Sequence, residues 1–285
     1  MRLSGYIIEK YNNMSNAYTC NRLVEEALNL GIDLSIIGVH DTLVTSEGIY
    51  NSGNIVEKRD FVINRYKWGK TKDYLNDIAG KSYNPLNSFN IYVNKYEQVK
   101  RLKSDEFVMP KYVLGTAILP YSEIVRQLGT SIVAKGLESS MGEQVFLVEN
   151  ENDMKKLASR FGAEKEWLFE EFISTSYGRD MRFYSIRGNV VACMQRTSNN
   201  DFRANVALGA SVKPLEITDD IRTIAKEIYN QTGLDFLGID LMFGVEKPFF
   251  CEINVMPGIE GIEEASGINV AKEIVATIKG DFENE

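Results

Sequence analysis

Apolar and polar positions near the amino terminus follow the pattern of a strand–helix–strand unit. Short apolar runs predict three strands, at residues 3–8, 34–39 and 60–64. Between the first two runs, apolar residues recur at helical spacing over residues 21–30, and Gly31 ends that helix. The pattern predicts a small parallel α/β domain up to about residue 85, with a linker rich in Gly, Asn, Ser and Pro at residues 80–90.

The rest of the chain mixes strand and helix patterns. Further strands are predicted at residues 132–135, 145–148, 167–172, 181–186, 190–196, 238–243 and 249–254. Helices are predicted at residues 95–102 and 153–161, and at a third segment that Thr218 caps and Gly233 ends. Arg187-Gly188-Asn189 is a strong hairpin signal between two of the strands.

The most informative local feature is an acidic hairpin that spans residues 238–258. A turn centred on Glu246 would place Asp240 directly across from Glu252, with Asn254 on the same face. Opposed carboxylates, whose Cβ atoms lie about 5 Å apart, repel each other unless a cation sits between them. Two carboxylates and an amide oxygen suit Mg²⁺ or Mn²⁺. The alternative is a solvated hairpin with ordinary surface acids, and the hairpin alone favours neither interpretation.

Cationic side chains near small-residue loops are candidates for binding phosphate. Lys135 ends a predicted strand and precedes Gly136 and the run Ser139-Ser140-Met141-Gly142. Arg196 and Arg203 lie in or beside a polar loop, and the planar guanidinium group suits phosphate oxygens. For each residue taken alone, a surface arginine or a lysine whose ammonium group reaches solvent is the favoured interpretation.

Composition excludes several classes of protein. The chain of 285 residues has a net charge of −8 and no basic run, which argues against binding to nucleic acid or to a membrane surface. Its three cysteines are far apart, which favours a cytoplasmic location. The presence of a single histidine, His40, excludes an HExxH zinc site, which needs two. His40 follows a predicted strand, where functional sites do occur, but an ordinary loop histidine is the favoured interpretation.

Familiar nucleotide motifs are missing from the sequence. Gly69-Lys70-Thr71 imitates the end of a P-loop, but Asn64 stands where that motif needs glycine. No GxGxxG motif follows a strand, and the kinase HRD and DFG motifs are absent.

Three segments in combination resemble the ATP-grasp superfamily and, within it, the RimK-like carboxylate–amine ligases, which include ribosomal-protein glutamate ligases and LysX-type enzymes. The segments are EEFISTSYGRDMRFYSIRGNVVACMQR, DFRANVALGAS and LGIDLMF with PFFCEINVMPGIEGIEEASGINVA. The resemblance is strongest over residues 170–278 and continues more weakly upstream through Asn94-Lys95, Pro110 and the strand with Lys135. It implies a mixed α/β and α+β ATP-grasp fold. A preATP-grasp α/β domain would span residues 1–88, and two α+β subdomains at residues 89–170 and 171–285 would clamp ATP.

The resemblance also implies the chemistry and the site. The activity would be ATP-dependent activation of a carboxylate to an acyl phosphate, followed by attack of an amine. The amine would belong to an amino acid, a peptide or a protein terminus, and relatives are commonly homodimers or homotetramers. The implied ATP contacts are Lys95, Lys135, Glu171, Phe172, Ile173 and Asp180. The implied residues at the terminal phosphate are Arg203 and Asn205, and the implied Mg²⁺ ligands are Asp240, Glu252 and Asn254.

The chain departs from the RimK-like pattern at one substrate segment. The HRGG run of that pattern is replaced by Ala207-Leu208-Gly209-Ala210, which disfavours an acidic, glutamate-like substrate. Two alternatives remain open. One is a ligase for small metabolites, similar to glutathione synthase or D-Ala–D-Ala ligase, and the other is an ATP-binding module without catalysis.

Overall fold

The computed structural model describes residues 2–13, 17–129, 131–140 and 142–283. The strands are β1 (Ser4–Glu9), β2 (Asp33–Gly38), β3 (Thr42–Val44), β4 (Ile49–Asn51), β5 (Asn54–Ile55), β6 (Arg59–Asn64), β7 (Ala79–Tyr83), β8 (Tyr112–Thr116), β9 (Ile132–Gly136), β10 (Val145–Val148), β11 (Glu166–Glu171), β12 (Arg179–Ile186), β13 (Asn189–Thr197), β14 (Ser211–Pro214), β15 (Phe236–Met242) and β16 (Phe249–Asn254). The helices are α1 (Tyr18–Asn29), α2 (Lys70–Asp77), α3 (Leu86–Tyr92), α4 (Lys95–Arg101), α5 (Tyr121–Leu128), α6 (Glu151–Phe161), α7 (Asp219–Thr232), α8 (Glu260–Ser266) and α9 (Val270–Glu283).

The first sheet is parallel and has the strand order β2-β1-β6-β7. Successive side chains of β1 point to opposite faces, so Ile7 packs in the core that α1 and α9 cover, and Ile8 packs with Leu75 of α2. Burial on both faces explains the nearly continuous apolar runs of β1 and β2. A small antiparallel meander, β3-β4-β5, follows β2.

The second sheet is antiparallel, in the order β10-β9-β11-β8. Its inner face packs against α5 and α6 around the fully buried Trp167. Ile132 and Ala134 of β9 belong to that core, so the residues between and after them, Val133 and Lys135, face the other way.

The third sheet is antiparallel, in the order β14-β13-β12-β15-β16. One face packs against α7 through residues such as Phe183 and Ile239. The other face of β12 carries Tyr184 and Ile186 into the core that also contains α9 and the first sheet. The carboxyl-terminal helix therefore shares a core with the amino-terminal sheet.

Local predictions from the sequence agree with the structure at several elements. Arg187 and Gly188 form the turn between β12 and β13 at positive φ, and Asp240 pairs with Glu252 across β15 and β16. The side chain of Thr218 accepts the N–H of Ile221 at the start of α7.

The predicted linker at residues 80–90 is wrong. Residues of this segment form most of β7, which pairs in parallel with β6, and the first part of α3. Tyr83 and Phe89 are buried at 3% and 0% exposure, so burial against distant partners overrides the polar composition of the segment.

Each predicted domain holds one of the three large sheets, although β11 runs one residue past the predicted boundary at residue 170. The division at residues 88 and 170 stays a prediction. Within the described ranges, no helix has the length and apolar character needed to cross a bilayer.

Candidate active site

A cavity lies between the second and third sheets, and we call it the intersheet cavity. It brings together the predicted site residues Lys95, Lys135, Glu171, Phe172, Ile173, Asp180, Arg203, Asn205, Asp240 and Glu252. The remaining predicted residue, Asn254, is not part of the lining but contacts two residues that are. Met141 of the predicted phosphate loop lies outside the described residues.

Lys135 enters the intersheet cavity from β9. Its Nζ lies 2.6 Å from Glu170 Oε2 and donates to the carbonyl of Cys251 at 3.1 Å. Burial disfavours the ammonium ion, but Cys251 and Glu170 outweigh burial and raise the pKa of Lys135. Lys135 is therefore a fixed positive charge in a site with little solvent.

Lys95 is the first residue of α4, which begins there because the side chain of Asn94 caps the helix. Its Nζ lies 3.1 Å from Glu252 Oε2 and donates to the carbonyl of Ser139 at 2.6 Å. Burial opposes ionisation of Glu252, but Lys95 together with Lys135 and Arg182 outweighs it, and the pKa of Glu252 is lowered. Lys95 thus joins the acidic hairpin to the loop that follows β9.

Two arginines and two aspartates form a buried network beside these lysines. Arg196 donates to both carboxylate oxygens of Asp180, at 2.7 and 2.6 Å, and to Asp240 Oδ2 at 2.9 Å. Arg182 donates to both oxygens of Asp240 at 2.6 Å. Burial opposes ionisation of Asp240, but Arg182 and Arg196 outweigh it and lower its pKa to about 2. The network keeps Asp240 ionised at 1% exposure.

The predicted metal ligands lie together on β15 and β16. The Nδ2 atom of Asn254 is 3.4 Å from Asp240 Oδ2 and 3.3 Å from Glu252 Oε1. Among the described residues, no group of three or more His, Cys, Asp and Glu side chains is arranged to hold a metal ion. Two carboxylates and one amide still fit Mg²⁺, which usually keeps waters and phosphate oxygens as further ligands. Rotation of the Asn254 amide would turn its oxygen toward the same point.

Arg203 and Asn205 face the loop that follows β9. Arg203 donates through Nε and Nη2 to Asp201, at 3.0 and 2.6 Å, and through Nη1 to the carbonyls of Gly142 and Val145. Gly142 has φ +74°, and a Cβ there would lie 2.9 Å from Asn205 Oδ1. Arg203 therefore connects loops of the second and third sheets, and glycine permits their close approach.

The predicted adenine hinge lies at the end of β11. The N–H of Glu171 donates to the carbonyl of Lys111 at 3.0 Å, and the N–H of Phe172 donates to that of Ser131 at 3.1 Å. Ile173 follows at 9% exposure. The two N–H groups already have acceptors in the protein, so a base in this hinge would rely on other backbone groups.

Sequence reasoning missed three residues of the cavity region. Glu170 partners Lys135, Arg182 holds Asp240, and the carbonyl of Cys251 accepts from Lys135. A signal for Arg182 was present in the sequence. Asp180 and Arg182 are two residues apart in β12, so their side chains lie on the same face of the strand. A charged pair on the face of a strand next to an acidic hairpin indicates a shared network.

A family model for the RimK-like ATP-grasp domain matches residues 93–278, which is more than half of the chain. A probable alpha-L-glutamate ligase of Thioalkalivibrio sulfidiphilus is 36% identical over 153 residues, which are 53% of this chain and 51% of that protein. The chain thus spans about half the length of this curated relative. A probable alpha-L-glutamate ligase of Haemophilus influenzae is 26% identical over 282 residues, which are 92% of this chain and 93% of that protein.

Solved structures agree on the fold. The ATP-grasp ligase PsnB complexed with a minimal precursor superposes with a TM-score of 0.72 at 16% identity, covering 98% of this chain and 99% of that one. The D-alanine–D-alanine ligase of Bacillus anthracis complexed with ATP superposes with a TM-score of 0.69 at 16% identity, covering 99% of both. From the extent of the family match and the shared fold, we conclude that the chain belongs to the RimK-like ATP-grasp family.

Proposed function

We propose that the protein is an ATP-dependent carboxylate–amine ligase that forms an amide bond through an acyl phosphate. The observation that carries the proposal is the meeting of two sheets in one cavity. The second sheet contributes Lys135, and the third contributes Asp240 and Glu252. Buried cations and acids that face one cavity are suited to a nucleotide with a divalent cation.

The reaction would proceed in two steps. An oxygen of the carboxylate attacks the terminal phosphorus of ATP, the bond from that phosphorus to the bridging oxygen breaks, and ADP leaves. The amine then attacks the acyl carbon, inorganic phosphate leaves, and the amine nitrogen gives up a proton to solvent. Walls on both sides of the cavity would limit the access of water, which would otherwise hydrolyse the acyl phosphate.

The residues have distinct proposed roles. Lys95 and Lys135 neutralise the nucleotide phosphates, and Arg203 with Asn205 faces the phosphoryl group in transfer. Asp240, Glu252 and Asn254 would hold Mg²⁺ or Mn²⁺, which supplies further positive charge to the phosphates when bound.

The adenosine part of ATP would lie at the other end of the cavity. Glu171, Phe172 and Ile173 are the proposed hinge for the base, and Asp180 is the proposed residue near the ribose. Because both oxygens of Asp180 accept from Arg196, we also propose that Asp180 orients that guanidinium group toward the nucleotide.

The substrate class follows partly from the relatives. Proteins named as probable alpha-L-glutamate ligases and a ligase complexed with a minimal precursor support an amino acid or a peptide as one substrate. The likeness to a D-alanine–D-alanine ligase supports the second candidate, a ligase for small metabolites. Ala207 and Leu208, in a short 3₁₀ helix beside Asn205, supply no charge for an acidic substrate.

A phosphate-release screen tests the proposal. The full chain is incubated with ATP and Mg²⁺ and with amino acids and short peptides in pairs, and mass spectrometry identifies any product. We expect phosphate release that depends on a carboxylate, with a product whose mass equals the two substrates minus water. Lys135→Met should abolish release, whereas Lys156→Met, at a side chain that is 78% exposed on α6, should not.

Two results would contradict the ligase. Phosphate release that is independent of every carboxylate would indicate a simple ATPase. ATP binding without any turnover across the whole screen would favour the non-catalytic module.

A further inference from the structure

A row of ring side chains lines the carboxyl edge of the first sheet. Tyr11, His40 and Tyr66 each lie two residues past the end of a parallel strand, β1, β2 and β6 respectively. Trp68 continues the row, and we call these four residues the aromatic row. Neighbouring ring centroids are 5.2, 5.6 and 5.6 Å apart along it. Ligands of open parallel sheets bind at this edge of the strands.

The aromatic row is held in place and open to solvent. His40 Nε2 lies 2.9 Å from the hydroxyl oxygen of Tyr66, which is itself buried. Tyr11 is 45% exposed and Trp68 is 50% exposed. Rings that pack on one another but leave their outer surfaces in water offer a rigid apolar contact at low entropic cost.

Lys67 lies between the last two rings of the row in the sequence. Its Nζ is 4.5 Å from the centroid of Trp68 and donates to the carbonyl of Glu138. Among the described residues, no carboxylate lies within ion-pair distance of it. Burial, together with the charge of Lys95, lowers the pKa of Lys67 to about 8. A cation in this environment gains stability when an anion binds beside it.

One end of the aromatic row, at Trp68, lies beside the intersheet cavity. Trp68 lines a surface groove, and Ser139 and Ser140 line both that groove and the intersheet cavity. Lys67 and Lys95 donate to the carbonyls of the adjacent residues Glu138 and Ser139, so both lysines hold the loop that borders the cavity. A molecule on the aromatic row could therefore reach the proposed phosphate end of the site.

We propose that Lys67 binds the carboxylate that is to be activated, and that the aromatic row packs against an aromatic or other large apolar side chain of the same substrate. This inference rests on the proposed function, because it assigns the acyl donor of that reaction. It makes Lys67 and the aromatic row the residues that determine specificity for the donor. Small donors such as glycine derivatives would bind weakly.

Calorimetry with three matched probes tests the inference. The full chain, saturated with ADP and Mg²⁺, is titrated with N-acetylphenylalanine, N-acetylphenylalaninamide and N-acetylglycine. We expect N-acetylphenylalanine to bind at least about tenfold more tightly than either of the other two, since only it offers both the charge and the ring. Quenching of tryptophan fluorescence should accompany binding, because Trp68 is exposed and Trp167 is fully buried.

Variants separate the two contributions. Lys67→Gln should remove the preference for the acid over the amide, Lys67→Arg should keep it, and Lys70→Gln should leave it unchanged because that lysine is 91% exposed. His40→Ala should weaken binding of both phenyl compounds several-fold and leave N-acetylglycine unaffected. Circular dichroism checks that each variant is folded.

The outcomes distinguish this inference from the proposed function. Equal affinities for the three probes, no measurable binding of any probe, or a Lys67→Gln variant that behaves like Lys70→Gln would each overturn the inference. If the phosphate-release screen finds activity with small carboxylates, the proposed function stands even though this inference about Lys67 and the aromatic row is wrong. Failure of ADP and Mg²⁺ to bind would instead contradict the proposed function.

Discussion

Replacement of Arg182 by methionine should destabilise the protein by about 3 kcal/mol, because it removes one of the two cations that hold Asp240. Arg182 donates two bonds of 2.6 Å to a carboxylate that is 1% exposed. Methionine keeps much of the apolar length of the side chain, so the loss reports mainly on the charge.

The magnitude follows from what remains around Asp240. Breaking a buried ion pair from one side costs about 3–5 kcal/mol, because the remaining charge is left without compensation. Here Arg196 still donates to Asp240 at 2.9 Å, so the lower end of that range applies. In the double variant Arg182→Met/Asp240→Asn the uncompensated charge is gone. The double variant should therefore lose about 2 kcal/mol less free energy of unfolding than the sum of the losses of the two single variants.

Urea unfolding followed by circular dichroism at pH 7 measures these free energies. Arg179→Met is the matched control, since this exposed residue of the same strand donates to the carbonyl of Thr175 and lies over the ring of Phe243, but pairs with no carboxylate among the described residues. We expect the control to change stability by no more than about 1 kcal/mol, which is the upper value for a cation–π contact at an exposed site. The reasoning is refuted if Arg182→Met is as stable as the control, or if the single losses simply add in the double variant.

Three further predictions concern the metal site, the arginine loop and an ion cluster far from the cavity. Glu252→Gln should abolish turnover with the fold intact, and calorimetry should show that wild-type ATP binding weakens without Mg²⁺; equal affinities with and without the metal would contradict the metal assignment. Arg203→Lys should lower turnover at least about tenfold, or about 1.4 kcal/mol, with ATP affinity within a few-fold, because lysine loses the planar fork. Normal turnover, or loss of ATP binding, would exclude that role. The Asp281 carboxylate accepts hydrogen bonds from Arg187 and Tyr83. The bonds from Arg187 outweigh the effect of burial and, together with the bond from Tyr83, lower the pKa of Asp281 to about 2. An acid whose pKa is lowered by folding stabilises the fold above its unfolded pKa of about 4. Asp281→Asn should therefore lower the free energy of unfolding by about 1 kcal/mol at pH 7. In urea titrations this difference from wild type should shrink as pH falls from about 4 toward 2. A difference that stays constant down to about pH 3 would contradict the assignment.

Local chemistry was enough to predict the acidic hairpin. Strand alternation and a turn near Glu246 correctly place Asp240 opposite Glu252, because both strands and their turn lie within twenty residues. The agreement holds although the register of this hairpin shifts between Asp240 and Leu241, nearer the turn. Lys135 was predicted to face a site for the same local reason, since it ends an alternating strand.

The partners of Asp180 were beyond local reasoning. Counting back from the turn at Arg187 and Gly188 would pair Asp180 with Gln195. An irregularity at Tyr184 and Ser185 shifts the register by one residue, so that Asp180 pairs with Arg196 instead. A shift of one residue moves a side chain to the opposite face of the sheet, and nothing in the sequence marks where it occurs.

By itself, the sequence determined the strands and helices with strong periodicity, the acidic hairpin and the family resemblance, because each depends on neighbours close in the chain. The tertiary structure alone decided that β7 replaces the expected linker, that Glu170 pairs with Lys135, and that Lys67 donates to the carbonyl of Glu138 in the loop after β9. These contacts join residues from 20 to 71 positions apart, and the burial and charge compensation that stabilise them arise only when separate elements pack together.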